Sequence, residues 1–269
     1  MVVLHNGPGA HHDYLLPQML RLGDAGPLLF YDQRGSGRSR TESRDPVTWK
    51  THVADLAAVV REFDITPFTL VGYSWGGLLA LFYAVEAAGG ELPAPDRIVL
   101  IDPAPISRSF RDEYDAEYAR RQGANEIFAM REQLAASGLR TEDPDAYRQR
   151  AFELSVAGFF ADPQMASDLT PFRVIGRVQQ SVWASLGAYD LAESLAKVEC
   201  PTLIVHGRQD PIPLASSEAA ARALPDARLV ILEDSGHVPY VEQPDALFAA
   251  IERFLAETAD SPLLRHHDR

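Results

Sequence analysis

Six short apolar runs, each of strand length, punctuate the chain at residues 2–5, 28–32, 68–72, 97–102, 202–207 and 228–233. Most are apolar at successive positions instead of alternate ones. A strand of that kind has to be covered on both faces, which is the situation inside a parallel sheet flanked by helices. Helical patterns fill the intervals at about 14–22, 47–63, 75–88, 215–224 and 244–258. Strand and helix repeating in this way predict a doubly wound, mostly parallel α/β sheet. One interval breaks the rhythm. Residues 104–190 hold no convincing strand, only amphipathic helical sequence such as 110–121 and 145–159. An all-helical insertion after a central strand reads as a cap over the carboxyl edge of the sheet, where open α/β sheets bind ligands. The expected organisation is therefore a core formed by 1–103 and 191–269, with a helical cap at 104–190. The polar tail, 261–269, is expected to fray.

Composition narrows the partners. Apolar residues make up 46% of the 269 and charged residues 23%, enough for a sizeable core without metal or disulfide staples. The single cysteine, Cys200, precedes Pro201 at the entry to an apolar run and reads as a structural thiol. The net charge is −13, and no basic stripe interleaved with aromatics stands out, which argues against nucleic acid. Residues 1–5 lack a basic start and break at Gly7-Pro8-Gly9, unlike a signal peptide. The greasiest stretch, 68–85, is interrupted by Gly72, Ser74, Gly76 and Gly77, and reads as strand, turn and buried helix instead of a membrane span. A cytoplasmic protein is expected.

The strongest chemical signal is Gly72-Tyr73-Ser74-Trp75-Gly76-Gly77, set between the apolar run 68–71 and the helical run 78–81. A bare G-x-S-x-G is weak evidence and could be a packing turn. In a strand-turn-helix setting, however, it has the form of a nucleophile elbow, with Ser74 held out over the sheet edge. A serine hydroxyl needs a base. His237, in a loop after the last strand, is the best placed of the eight histidines; His206 ends a strand and reads as packed, and His11-His12 offer no metal spacing. The base needs a carboxylate. Asp210 and Asp102 both follow strands, and Asp210 is preferred because Asp102 leads straight into the helical insertion. An oxyanion site needs backbone N–H groups. Trp75 should supply one, and Asn6 or Gly7 the other, since Pro8 has none. No metal and no organic cofactor is called for. Trp183, Phe159, Phe160 and Tyr189 are candidate walls of a substrate pocket, although aromatics in such positions are more often core.

Taken together, these segments resemble the proline iminopeptidase (prolyl aminopeptidase) branch of the α/β hydrolases. His5-Asn6-Gly7-Pro8-Gly9 looks like that branch's H-G-G-P-G loop, and residues 31–39 look like its D-Q-R-G-x-G-R-S segment, the most specific match. The segments 72–77, 207–210 and 236–237 follow in order, so the resemblance spans residue 1 to about 258. It implies an α/β-hydrolase sheet and hydrolysis of a small peptide, amide or ester through an acyl-enzyme on Ser74. The 31–39 segment reads as scaffold beside the site. Three departures stand out. The chain starts at the strand bearing His5, without the two earlier edge strands usual in this fold. Asn6 replaces a glycine, a substitution that asparagine's tolerance of unusual backbone angles makes bearable. Finally, the branch binds a substrate amine with acidic side chains, whereas here Pro211 follows Asp210 and the stretch 179–185 has no acid. Glu113, Glu117, Glu153 and Asp190 are the acids that could substitute. The missing anchor favours, as an alternative, a carboxylesterase or lactonase acting on an uncharged substrate; a non-catalytic ligand-binding protein of this fold is the reading outside enzymes.

Overall fold

The computed structural model describes residues 1–41 and 45–259. The tail 261–269, with His266 and His267, lies outside the described residues. In chain order the strands and main helices are β1 (Val2–Leu4), β2 (Leu29–Phe30), α1 (Trp49–Glu62), β3 (Thr69–Tyr73), α2 (Trp75–Ala87), β4 (Arg97–Ile101), α3 (Arg108–Gln122), α4 (Asn125–Ala136), α5 (Pro144–Val156), α6 (Gly176–Leu186), β5 (Thr202–Gly207), α7 (Leu214–Ala223), β6 (Ala227–Leu232) and α8 (Pro244–Thr258). All six strands are parallel, in the order β2-β1-β3-β4-β5-β6.

The doubly wound sheet explains why the apolar runs do not alternate. Val2, Leu4, Leu70, Ile98, Leu100 and Ile204 join one hydrophobic cluster with α1, α2 and α7. Their neighbours in sequence, Val3, Val71, Val99, Ile101, Leu203 and Val205, join a second cluster with α8 and residues of the 13–25 segment. Successive side chains point to opposite faces, and helices cover both, so every position has to be apolar. The 14–22 stretch is the one expected helix that forms in pieces. It comprises two 3₁₀ turns around the single α turn Leu16–Met19, with Pro17 at its start.

Strand register brings the functional loops level. Leu4 pairs with Gly72, Tyr73 with Ile101, Ile101 with Val205 and Gly207 with Leu232. His5, Ser74, Asp102 and the loops bearing Asp210 and His237 therefore all leave the same edge. The strand order doubles back at β1 and β3, so this edge is also the topological switch of the sheet. Helices α3 to α6 lie between β4 and β5, and a β-bridge between Ser107 and Asp190 ties the ends of that segment together. Among the described residues, no helix is long and apolar enough to cross a membrane.

The turn after β2 is stapled to its neighbours. Asp32 accepts the backbone N–H groups of His12 (2.9 Å) and Arg38 (2.7 Å). Gln33 accepts the indole N–H of Trp75 at 2.8 Å and donates to the His5 carbonyl at 3.1 Å, while its own backbone N–H donates to His5 Nε2 at 3.1 Å. One buried amide thus joins the loops after β1, β2 and β3.

Two predictions follow from this packing. Gln33→Leu keeps the volume but strands the Trp75 N–H and the His5 carbonyl away from water. It is expected to lower unfolding free energy by about 2–4 kcal/mol, measured by urea denaturation. The second concerns His52 on α1, which is 1% exposed and whose imidazole burial pushes down to about 4. An unfolded histidine takes up its proton near pH 6.5, so between the two values only the unfolded chain gains one. His52 therefore contributes stability above the unfolded value that is lost as pH falls toward the folded one. Relative to wild type, His52→Gln should gain about 2 kcal/mol between pH 7 and pH 5, read from urea midpoints at the two pH values.

Candidate active site

Ser74 occupies the turn between β3 and α2 with φ +52° and ψ −116°, a strained conformation for a residue with a side chain. Two close approaches hold it there. A Cβ on Gly72 would collide with the backbone of Gly76, and a Cβ on Gly76 would collide with the Leu4 carbonyl. Glycine at both places lets α2 start directly against β1 and β3. Every residue from Trp75 to Ala84 is buried, so the helix cannot shift to relieve the turn.

The loops after β5 and β6 meet this serine. His237 Nε2 lies 2.9 Å from Ser74 Oγ, and His237 Nδ1 lies 2.8 Å from Asp210 Oδ2. With Asp210 ionised, Nδ1 carries the proton and Nε2 is left to accept from the serine hydroxyl. The imidazole is held from several sides. Its backbone N–H donates to Phe159 at 2.7 Å, its carbonyl accepts from the Tyr73 hydroxyl at 3.0 Å, and the Phe159 ring stands 5.1 Å away. Burial pushes the imidazole down to about 4. Glu242 fixes the loop from below, its carboxylate accepting the N–H groups of Gly236, Val238 and Ala161. Nothing in the sequence separated Glu242 from an ordinary helix-start acid.

Asp210 and Asp102, the two sequence candidates for the orienting acid, both end up here, but with different partners. Asp210 Oδ2 faces His237, and Oδ1 accepts the Ile212 N–H at 2.7 Å. Burial pushes its carboxyl up to about 8, with the neighbouring Asp102 and the Ile212 N–H working against the shift. Asp102 is fully buried at φ +40°, and its Oδ1 accepts the Gly207 N–H at 2.7 Å. Burial and the adjacent Asp210 hold its carboxyl well above the usual range. Asp102 thus faces the backbone at the end of β5, and Asp210 is the one that meets the imidazole.

Asp102, Asp210 and His206 also place possible metal-ligand atoms within 4.8 Å of one another. Protein groups already engage the histidine. Its Nε2 donates to the Ile212 carbonyl at 3.1 Å, which leaves Nδ1 to accept from the Ser217 hydroxyl at 2.9 Å.

Of the two N–H groups proposed from the His5 loop, that of Asn6 donates to the Tyr14 hydroxyl at 3.1 Å. Gly7 and Trp75 have no backbone partner for theirs among the described residues. The unusual backbone angles of this loop fall on Gly7 (φ +41°) and Gly9 (φ +94°), so Asn6 is spared them. Asn6, Gly7, Ser74 and His237 line a cavity of about 340 Å³, closed on its other side by residues of α3, α5 and α6. Trp183 and Phe159 line it too. Tyr189 does not: its hydroxyl donates to the Pro105 carbonyl at 2.9 Å and its ring packs 6.2 Å from Phe82, behind the wall. Phe160 is buried in the core. The lining residues that sequence reasoning missed include Arg111 and Tyr114, spaced i, i+3 on α3. That spacing puts them on one face, but an amphipathic pattern does not say what the face will meet.

No aspartate or glutamate is among the lining residues. Glu113 and Asp190 are exposed, and Asp190 caps the Ala192 N–H at 2.9 Å. Glu117 is held by Arg120 and Arg121, while Glu153 is buried against Gln149 and Arg150. None of the four acids offered as possible amine anchors lines the cavity.

Comparisons with known proteins agree with this architecture. A proline iminopeptidase of Saccharolobus solfataricus is 28% identical, over 95% of this chain and 84% of that protein. One from Levilactobacillus brevis is 27% identical, over 95% and 88%. The crystal structure of a proline iminopeptidase from Mycobacterium smegmatis superposes with a TM-score of 0.66 at 22% identity, covering 96% and 89% of the two chains. An esterase from Thermogutta terrifontis gives 0.62 at 23%, covering 96% and 89%. The model of the alpha/beta hydrolase family matches residues 1–251. With that match running through all six strands and every loop of the cavity edge, the chain belongs to the alpha/beta hydrolase family and is a hydrolase.

Proposed function

We propose that this hydrolase is a serine hydrolase that cleaves small esters or amides through an acyl-enzyme, with Ser74 as nucleophile, His237 as general base and acid, and Asp210 as orienting carboxylate. The observation that carries the reading is the unbroken relay from Ser74 Oγ to His237 Nε2 (2.9 Å) and from Nδ1 to Asp210 (2.8 Å), at the wall of a cavity. As Ser74 Oγ attacks the carbonyl carbon, its proton passes to Nε2, and the imidazolium is stabilised by the carboxylate at Nδ1. The tetrahedral oxyanion is received by the N–H groups of Trp75 and Gly7. When the intermediate collapses, His237 returns the proton to the departing alcohol or amine. Water then repeats the sequence on the acyl group and frees Ser74. This chemistry asks for no metal or organic cofactor. Residues 104–190 serve as a cap whose helices supply the far wall and set which acyl and leaving groups fit. Its partner is a small-molecule substrate.

A second reading, proline iminopeptidase activity, is favoured by the names of the relatives. Against it stands the cavity lining, which offers no carboxylate to an ammonium group; taking an ammonium out of water without a partner costs several kcal/mol. We therefore place esters and amides without a free amine first.

Ser74→Ala and His237→Ala are each expected to lower kcat by about 10⁴- to 10⁶-fold, and Asp210→Asn by several powers of ten, with Asp102→Asn costing far less. Steady-state rates on 4-nitrophenyl butyrate measure this; if Asp102→Asn is the crippled variant, the acid is misassigned. In a parallel assay, Ser74-dependent cleavage of 4-nitrophenyl esters should far exceed that of free-amine proline 4-nitroanilide. Fast cleavage of the anilide alone would establish the peptidase reading instead.

A further inference from the structure

The cavity wall contains one charged side chain of fixed sign, and it is a cation. Arg111 on α3 stacks on Trp183 of α6, its guanidinium carbon 3.9 Å from the ring centroid. Its Nε donates to Asp115 at 2.9 Å. Asp115 lies on the outer side: together with Arg111 and Trp183 it lines a shallow depression separated from the central cavity, and it is not among the central cavity's lining residues. The two terminal nitrogens of Arg111 have no hydrogen-bond partner among the described residues. The arginine is thus a partition. Its outward edge is neutralised by an acid, and it also faces a chamber that contains Ser74 and His237 but no carboxylate.

That arrangement has a chemical meaning. A guanidinium is always charged and presents parallel N–H donors that match a carboxylate. Held flat against an indole, it loses little freedom when such a partner arrives. In a partly desolvated chamber of about 340 Å³, its field attracts an anion and repels an ammonium. We infer that the substrate carries a carboxylate, received by Arg111, at the end remote from the carbonyl that Ser74 attacks. The substrate class is then an acid-ended ester or amide, such as a half-ester of a short dicarboxylic acid. This rests on the reading of Ser74 as nucleophile and adds to it a specificity residue. The sign is opposite to the one an aminopeptidase needs, in keeping with a lining that holds no carboxylate.

The test compares two esters of equal acyl length, mono-4-nitrophenyl adipate and 4-nitrophenyl hexanoate, on wild type, Arg111→Gln and Arg111→Lys, with Ser74→Ala as blank. The kcat/KM ratio of adipate to hexanoate is expected to exceed about tenfold in wild type and to fall at least tenfold in Arg111→Gln, through KM. Arg111→Lys, which restores the charge but not the fork, should recover part of it. A wild-type ratio near one, or a ratio indifferent to Arg111→Gln, overturns the inference. Calorimetric binding of monomethyl adipate to Ser74→Ala, with and without Arg111→Gln, reads the same recognition without turnover. If no ester is cleaved by Ser74, the hydrolytic reading of that residue fails, and the binding experiment alone decides on Arg111. Affinity weakened at least tenfold by Arg111→Gln supports the inference; no binding, or equal binding, overturns it.

Discussion

The close approach of α2 to β1 and β3 is the contact on which the rest of this molecule depends. Gly72 and Gly76 remove the Cβ atoms that would hold backbone from backbone, and the wholly buried first turns of α2 then leave the chain no route from β3 except through a strained Ser74. Strain of this kind persists only where packing over-determines it. Here the packing is supplied by strands apolar on both faces and by a helix apolar all round. The core and the Ser74 turn are therefore held together by the same contacts, and loosening the core would let the serine relax away from the histidine.

Burial does a second job at the same edge. The loops carrying Asp102, Asp210 and His237 are sunk into the protein, so each charge is costly, and most of the polar groups are paired with backbone or with one another. Asp102 holds the Gly207 N–H, Asp210 meets the imidazole, and Glu242 gathers the backbone N–H groups that shape the histidine loop. On the opposite side, Gln33 links three loops with one amide. The resemblance-bearing segment at residues 31–39 thus works at a distance from the cavity: it holds the His5 loop and Trp75 in place, and the N–H groups of Gly7 and Trp75 with them.

Much of this was readable in the chain before any coordinates. The continuous apolar runs had to be strands covered on both faces, and the run from Phe68 through the glycines to Leu81 had to be strand, turn and helix. Ser74, Asp210 and His237 could each be singled out by following a strand in the right chain order. Where local reading stopped, the cause was side-chain pairing that periodicity does not state. Asn6 and Gly7 looked equivalent as donors until Tyr14, eight residues on, took the Asn6 N–H. Tyr189 looked like a pocket wall until its hydroxyl was found on Pro105. Glu117 and Glu153 looked available until their arginines were counted.

The sequence by itself determined the elements, the parallel sheet and the edge at which chemistry gathers, because period, glycine spacing and strand-end position are local properties. Only the tertiary structure decided which of two aspartates meets the histidine and which N–H groups remain unclaimed. It alone put a cation, and no acid, on the cavity wall. Those are outcomes of desolvation and pairing at separations from 8 residues, Asn6 to Tyr14, to 163, Ser74 to His237. Periodicity and spacing state none of those pairings.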